Sequence, residues 1–193
     1  MLSWIPPRRR KTRPLIAVVR LSGAIGASGR SGLSDAGIAP LLERAFSKGK
    51  PAAVALIINS PGGSPVQSSL IGARIRRLAE EHEIPVYAFV EDVAASGGYY
   101  IACAADSIVA NPTTLTGSIG VFGMIPNLSK FYKNKLGITI DTVNTGKYAD
   151  MGVNRPLSTF EKNKLQKSVS DMYTGFITKV GEGRNMSTAE VNE

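Results

Sequence analysis

Apolar runs and amphipathic stretches alternate along this chain. Residues 15–21, LIAVVRL, are a short β-branched run after Pro14 and predict a buried strand. LSDAGIAPLLERAFSKG then offers Ser34 or Asp35 as a helix N-cap, apolar residues at helical spacing and Gly49 as a stop, with Pro40 marking an early irregularity. Residues 52–60, AAVALIINS, are almost wholly apolar, as expected of a strand covered on both faces, and run into the turn PGGSP. From Val66 to Glu83, Leu70, Ile71, Ile75 and Leu78 share one helical face, with charges opposite. IPVYAFVED predicts a strand, GGYYIACAAD a helix and SIVANP a short strand. After TTLTGSIGVFG come a helical LSKFYKNKLG, a strand ITIDTVNTG and a long amphipathic helix, TFEKNKLQKSVSDMYTGFITKVGEGR. Ser187 and Glu190 stand at capping-box spacing, where a further helix begins.

This alternation predicts an α/β fold, a mostly parallel sheet of repeated β-α units with flanking helices. In such sheets the working groups gather at the carboxyl ends of strands. Three glycine-rich turns fall there: NSPGGS, DVAASGGYY and TGSIGV.

With 193 residues, 43% hydrophobic and 20% charged, the chain has an ordinary globular composition, and one domain is expected over residues 15–193. The net charge of +8 is concentrated in an N-terminal arm, residues 1–14, where Arg8, Arg9, Arg10, Lys11 and Arg13 meet no acid. That arm is expected to be solvated and suited to peripheral contact with anionic lipid. Nothing in it suggests nucleic-acid binding, because aromatic interleaving is missing. No apolar run approaches the roughly 18 residues of a membrane span, and the apolar-then-basic order opposes a secretory signal. A cytoplasmic or peripherally membrane-associated protein is expected. With one cysteine, Cys103, and one histidine, His82, the chain has no internal disulfide and no metal-ligand spacing, so no cofactor is expected.

Ser96, in VAASGGYY, stands between small residues that expose its hydroxyl. A serine nucleophile needs a sharp turn, a base and amide donors for the developing oxyanion. The amide of Gly97 can supply one donor, and that of Gly62 or Gly63 the second. A base is harder to find. His82 lies late in an amphipathic helix, away from the strand ends, so a lysine must serve, and only one with a lowered pKa can take the proton.

NSPGGS, VAASGGYYIACAADSIVANPTTLTGSIGV, LGITIDTVNTGKYADMG and RPLSTFEKNKLQ together resemble the signal peptide peptidase A (SppA) family of serine peptidases, within the wider fold of crotonases and the Clp protease proteolytic subunit. The resemblance runs from about residue 15 to the end and implies a Ser–Lys dyad endopeptidase that cuts hydrophobic peptides such as released signal peptides. It also implies a homo-oligomer, a tetramer or octamer, with sites facing a shared cavity. By position, Ser96 matches the nucleophile, Gly63 and Gly97 the oxyanion hole, Gly62 and Ser64 the substrate-binding turn, and Ser118 the hydroxyl that holds the lysine. The lysine position itself is Ala149, which cannot accept a proton. Lys147, two residues away, reads as a surface residue rather than a replacement base.

The chain as written is therefore expected to be almost inactive. Either a natural pseudoenzyme or a Lys-to-Ala substitution would give this sequence, and the otherwise intact site favours the substitution. The family usually continues with a further strand and helix, so a truncated C-terminus is expected. Two other readings stay open. A crotonase-type acyl-CoA enzyme would use the same glycine amides with a carboxylate, Asp92 or Asp150, and a non-catalytic protein would hold peptides without cutting them.

Overall fold

The computed structural model describes residues 13–26, 32–146 and 148–192. The basic arm up to residue 12, Lys147 and Glu193 lie outside the described residues. The chain divides into two compact units, residues 1–118 and 119–193.

The first unit carries the sheet. Strands β1 (Ile16–Ser22), β2 (Ala53–Ser60), β3 (Val86–Ala95) and β4 (Ser107–Ala110) lie side by side in chain order, all parallel. A fifth strand, β5 (Leu115–Gly117), pairs in parallel with the far end of β3, Val93–Ala95, beyond the stretch that pairs with β4. Helices α1 (Asp35–Ser47), α2 (Pro65–His82) and α3 (Gly97–Ala102) form the crossovers. Since α1 packs on α2 and α2 on α3, the three helices share one face of the sheet. Crossovers of one hand that step repeatedly in one direction produce this arrangement.

The core lies between that face and the helices. Leu21 of β1, Val54, Leu56 and Ile58 of β2, and Val86 and Ala88 of β3 meet Leu42, Phe46, Ile71, Ile75 and Leu78. Ser34 caps α1 by accepting from the Gly37 amide, and Pro40 is accommodated inside that helix. On α2 the buried positions include Ile71, Ile75 and Leu78, whereas Leu70, expected on the same face, is 46% exposed. It stands one position before Ile71, which turns it about 100° away from the buried stripe.

β1 departs from the buried strand expected, whereas β2 is largely covered on both faces, as expected. β1 alternates, with Val19 and Leu21 buried and Val18 exposed, because helices cover only one of its faces. On its second face β2 buries the small Ala53 and Ala55, and Ile57 and Asn59 are half-buried. Ala55 sits in register between Val18 and Tyr87, and these larger neighbours shade it.

In the second unit, α4 (Ser129–Phe131) continues as a π-helical turn, Tyr132–Leu136, and stops at Gly137 in the left-handed conformation. α5 (Thr159–Arg184) covers the predicted long helix, and α6 (Thr188–Asn192) packs against it. Ser187 and Glu190 make the capping box expected at the start of α6. Residues 138–146 are not a strand, contrary to expectation. Among the described residues no strand pairs with them, and Ile138, Ile140 and Val143 remain exposed. Among the described residues, no helix is long and apolar enough to cross a membrane.

Leu56 is fully buried at the centre of the sheet. Leu56→Ala should lower unfolding free energy by about 2–5 kcal/mol, read by urea denaturation. Val18→Thr, on the exposed face, should change it by no more than about 0.5 kcal/mol.

Candidate active site

β3 ends at Ala95 and α3 begins at Gly97, so Ser96 is the whole of the turn between strand and helix. Its backbone takes φ 51° and ψ −121°, a left-handed conformation that costs a residue bearing a Cβ about 1–3 kcal/mol. Two hydrogen bonds hold it there. The Ser96 amide donates to the Gly117 carbonyl of β5 at 2.8 Å, and the Tyr100 amide donates to the Ser96 carbonyl at 3.0 Å. A strained turn of this kind lifts a serine hydroxyl clear of the strand end.

The turn after β2 closes on the same point. A Cβ on Gly62 would lie 2.7 Å from both the Ala95 carbonyl oxygen and the Gly97 nitrogen, and 2.8 Å from Ser96 Cβ. Only a bare backbone fits there. Gly97 is equally enclosed, because a side chain would strike Ser68 Oγ. The Gly62 amide donates to Ser60 Oγ at 3.2 Å, which engages it within the fold. For the amides of Gly63 and Gly97 no backbone or side-chain acceptor is found among the described residues. Gly62 is buried and Gly63 is exposed.

Ser64 begins α2. Its Oγ accepts from the Gln67 amide at 3.4 Å and its own amide donates to the Ile25 carbonyl at 2.9 Å, so its hydroxyl acts as a helix cap. Ser118 follows Gly117 directly, is exposed, and has φ 52°. The structure thus gathers Ser96, Gly97, Gly62 and the strand that leads to Ser118 at one end of the sheet. His82 ends α2, whose 18 residues span about 27 Å from the cap at Ser64, and it stacks on Phe46. This is the remote position the sequence suggests for it.

Two supports were not anticipated. Ser60, 1% exposed, donates from Oγ to the Gly23 carbonyl at 2.7 Å while accepting from Gly62. Ile25 receives the Ser64 amide and donates its own to the Gly62 carbonyl at 2.8 Å. The loop after β1 therefore grips the PGGS turn. The glycines of LSGAIG were the available signal.

Ala149 belongs to the second unit and lies exposed in a turn of residues 148–150. Its amide donates to the Gly146 carbonyl at 3.1 Å. Both neighbours are tied to the start of α5. The Tyr148 ring stacks on Phe160 with centroids 5.2 Å apart. Asp150 accepts from Arg155 Nε at 3.0 Å, and Arg155 Nη2 donates to the Asp150 carbonyl at 2.7 Å. Arg155 also donates to both oxygens of Glu161, at 2.7 and 2.9 Å. Glu161, 2% exposed, completes the α5 capping box by accepting from the Ser158 amide and hydroxyl.

The model of peptidase family S49 matches residues 79–193, more than half of the chain. The chain belongs to peptidase family S49. Members of this family are serine peptidases, and the match includes Ser96, Ser118 and Ala149. The chain is 42% identical over 143 residues to a chloroplastic serine protease, SPPA, of Arabidopsis thaliana, an alignment covering 70% of this chain and 20% of that protein. It is 58% identical over 120 residues to a Brucella melitensis protein named as the Na(+)/H(+) antiporter NhaA, covering 61% of this chain and 16% of that one. The chain therefore spans about a fifth or less of the length of these curated relatives. The solved structure of a mutant of the membrane-bound stomatin-specific protease 1510-N covers 94% of this chain and 69% of its own, with a TM-score of 0.54 at 16% identity. That likeness establishes the expected Clp protease-like α/β fold.

The Arg155 guanidinium and the Ser158 donors hold the Glu161 carboxyl down to about 2, against an ordinary 4.5. A depressed carboxylate pKa stabilises the fold above the unfolded value and ceases to do so as pH falls through the folded one. The melting temperature should therefore fall between pH 4.5 and 2, and Glu161→Gln should flatten that dependence while lowering stability at pH 7. A thermal melt series from pH 2 to 7 reads both effects.

Proposed function

We propose that this chain is the catalytic module of an S49 endopeptidase of Ser–Lys type, acting on hydrophobic peptides such as cleaved signal peptides. The observation that carries this reading is Ser96 in its strained turn with the Gly62 turn packed against it, the amides of Gly63 and Gly97 having no acceptor among the described residues. Ser96 Oγ attacks the scissile carbonyl carbon, its proton passes to a neutral amine, and the two amides receive the oxyanion. Collapse expels the new amine terminus as the ammonium returns its proton to the leaving nitrogen, and a water that gives its proton to the same amine then releases the acyl group from Ser96. Gly62 and Ser64 belong to the turn against which the peptide backbone lies, and Ser118 holds the amine. Position 149 is where that amine belongs.

With alanine at 149, the proton has no acceptor from this residue, and the chain as written is nearly inactive. Homo-oligomerisation and contact of the basic arm with anionic lipid belong to the same reading, as does a cytoplasmic or peripherally membrane-associated location. Ala149 itself also supports a second reading, a pseudoenzyme that holds peptides without cutting them, and the naturally encoded residue at 149 separates the two. A crotonase-type reaction is less well supported. Its candidate carboxylates are already engaged, Asp92 by Asn59 Nδ2 at 2.8 Å and Asp150 by Arg155.

Ala149→Lys should raise cleavage of an internally quenched hydrophobic peptide by about 10⁴-fold, and Ser96→Ala in that background should remove the gain. A folded Ala149→Lys protein without any gain would overturn the dyad assignment.

A further inference from the structure

A groove of about 580 Å³ lies between β1 and α1, outside the chemistry proposed above. Leu15 and Val19 contribute from the β1 side. On α1 the contributors are Leu41, Arg44 and Ala45, whose spacing makes one helical stripe, and Lys48 follows at the C-cap. Leu15 is 49% exposed and Leu41 56%, so the apolar part of the groove is open.

β1 is an outer strand of the sheet, and among the described residues no strand pairs with its free edge. The Leu15 carbonyl accepts from the Ala52 amide at 2.8 Å, and the Gly23 amide donates to the Asn59 carbonyl at 3.0 Å. Odd-numbered residues thus address β2. In a parallel ladder the alternate ones, Ile16, Val18, Arg20 and Ser22, direct their amides and carbonyls outward.

The charges beside this edge are unbalanced. Arg44 and Lys48 are exposed and have no acidic partner among the described residues. Glu43, the acid adjacent to Arg44 on α1, is held by Arg74 at 3.0 Å and Arg77 at 3.1 Å. Arg20 is already paired with Glu91 at 2.6 Å. An unpaired strand edge, an apolar trough and two uncompensated cations occur together.

We propose that this edge binds an extended peptide of mixed apolar and acidic character, added to the sheet as a further strand. The peptide backbone pairs with the outward groups of β1, its apolar side chains cover Leu15 and Leu41, and its carboxylates face Arg44 and Lys48. This docking site is separate from the Ser96 turn and places a second peptide-binding surface on the same module.

The test is fluorescence anisotropy on the full chain carrying Ser96→Ala, with a labelled, blocked octapeptide Val-Thr-Glu-Thr-Val-Thr-Glu-Thr. Its counterpart with lysine in place of glutamate should bind at least about tenfold more weakly. Arg44→Glu combined with Lys48→Glu should weaken the glutamate peptide by about tenfold and strengthen the lysine peptide. N-methylation of alternate peptide amides, which removes donors to the edge without altering the protein, should weaken binding severalfold. Equal binding of the two peptides, or affinity unchanged in the double variant, would overturn the proposal. Full binding by the N-methylated peptide would also overturn it, because charge alone would then account for the interaction.

Discussion

The close approach of the turn after β2 to the turn after β3 is the constraint on which the rest of the site depends. Ser96 keeps its left-handed conformation only because β5 accepts its amide and the first turn of α3 donates to its carbonyl. The strain is set against cooperative hydrogen bonds that would be broken if the residue relaxed. A Cβ at Gly62 would then lie less than 3 Å from three neighbouring atoms, so any side chain would push the two turns apart. Backbone shape alone thus brings a hydroxyl and two amides into one region before any base is considered.

That region is held from behind by the loop after β1. Ser60 joins the Gly23 carbonyl to the Gly62 amide, and Ile25 joins the other side of the same turn through both of its backbone groups. Parallel strands deliver their carboxyl ends to a common edge, so three successive loops can brace one another there. The parallel sheet positions the site in this direct sense, because each crossover begins at that end of the sheet.

The parallel α/β class and most helices were legible because burial imposes a period on the sequence. α2 and α5 show amphipathic stripes that need no tertiary information, and β2 is recognisable as a nearly continuous apolar run. Leu70 shows where periodicity loses resolution, since a stripe one residue wide cannot be separated from its neighbour by hydropathy. ITIDTVNTG shows the other limit, because a strand requires a partner and no local pattern supplies one. Ser96 was visible through its small neighbours, and Gly62 through the PGGS turn. The brace from Ser60 and Ile25 was signalled only by the glycines of LSGAIG, because Ile25 acts through backbone groups that every residue carries and the Ser60 hydroxyl finds its partners only in the folded turn.

The turn that contains Ala149 separates position from chemistry. Its geometry rests on Tyr148 against Phe160 and on Asp150 against Arg155, which is in turn fixed to the cap of α5. The side chain of residue 149 takes no part in these contacts and is exposed. A lysine can therefore replace alanine there without rebuilding the turn, and an alanine can replace lysine without collapsing it. Under the Ser–Lys proposal, loss of a base at this position would remove a proton acceptor and leave the scaffold intact, because the turn rests on supports supplied by its neighbours.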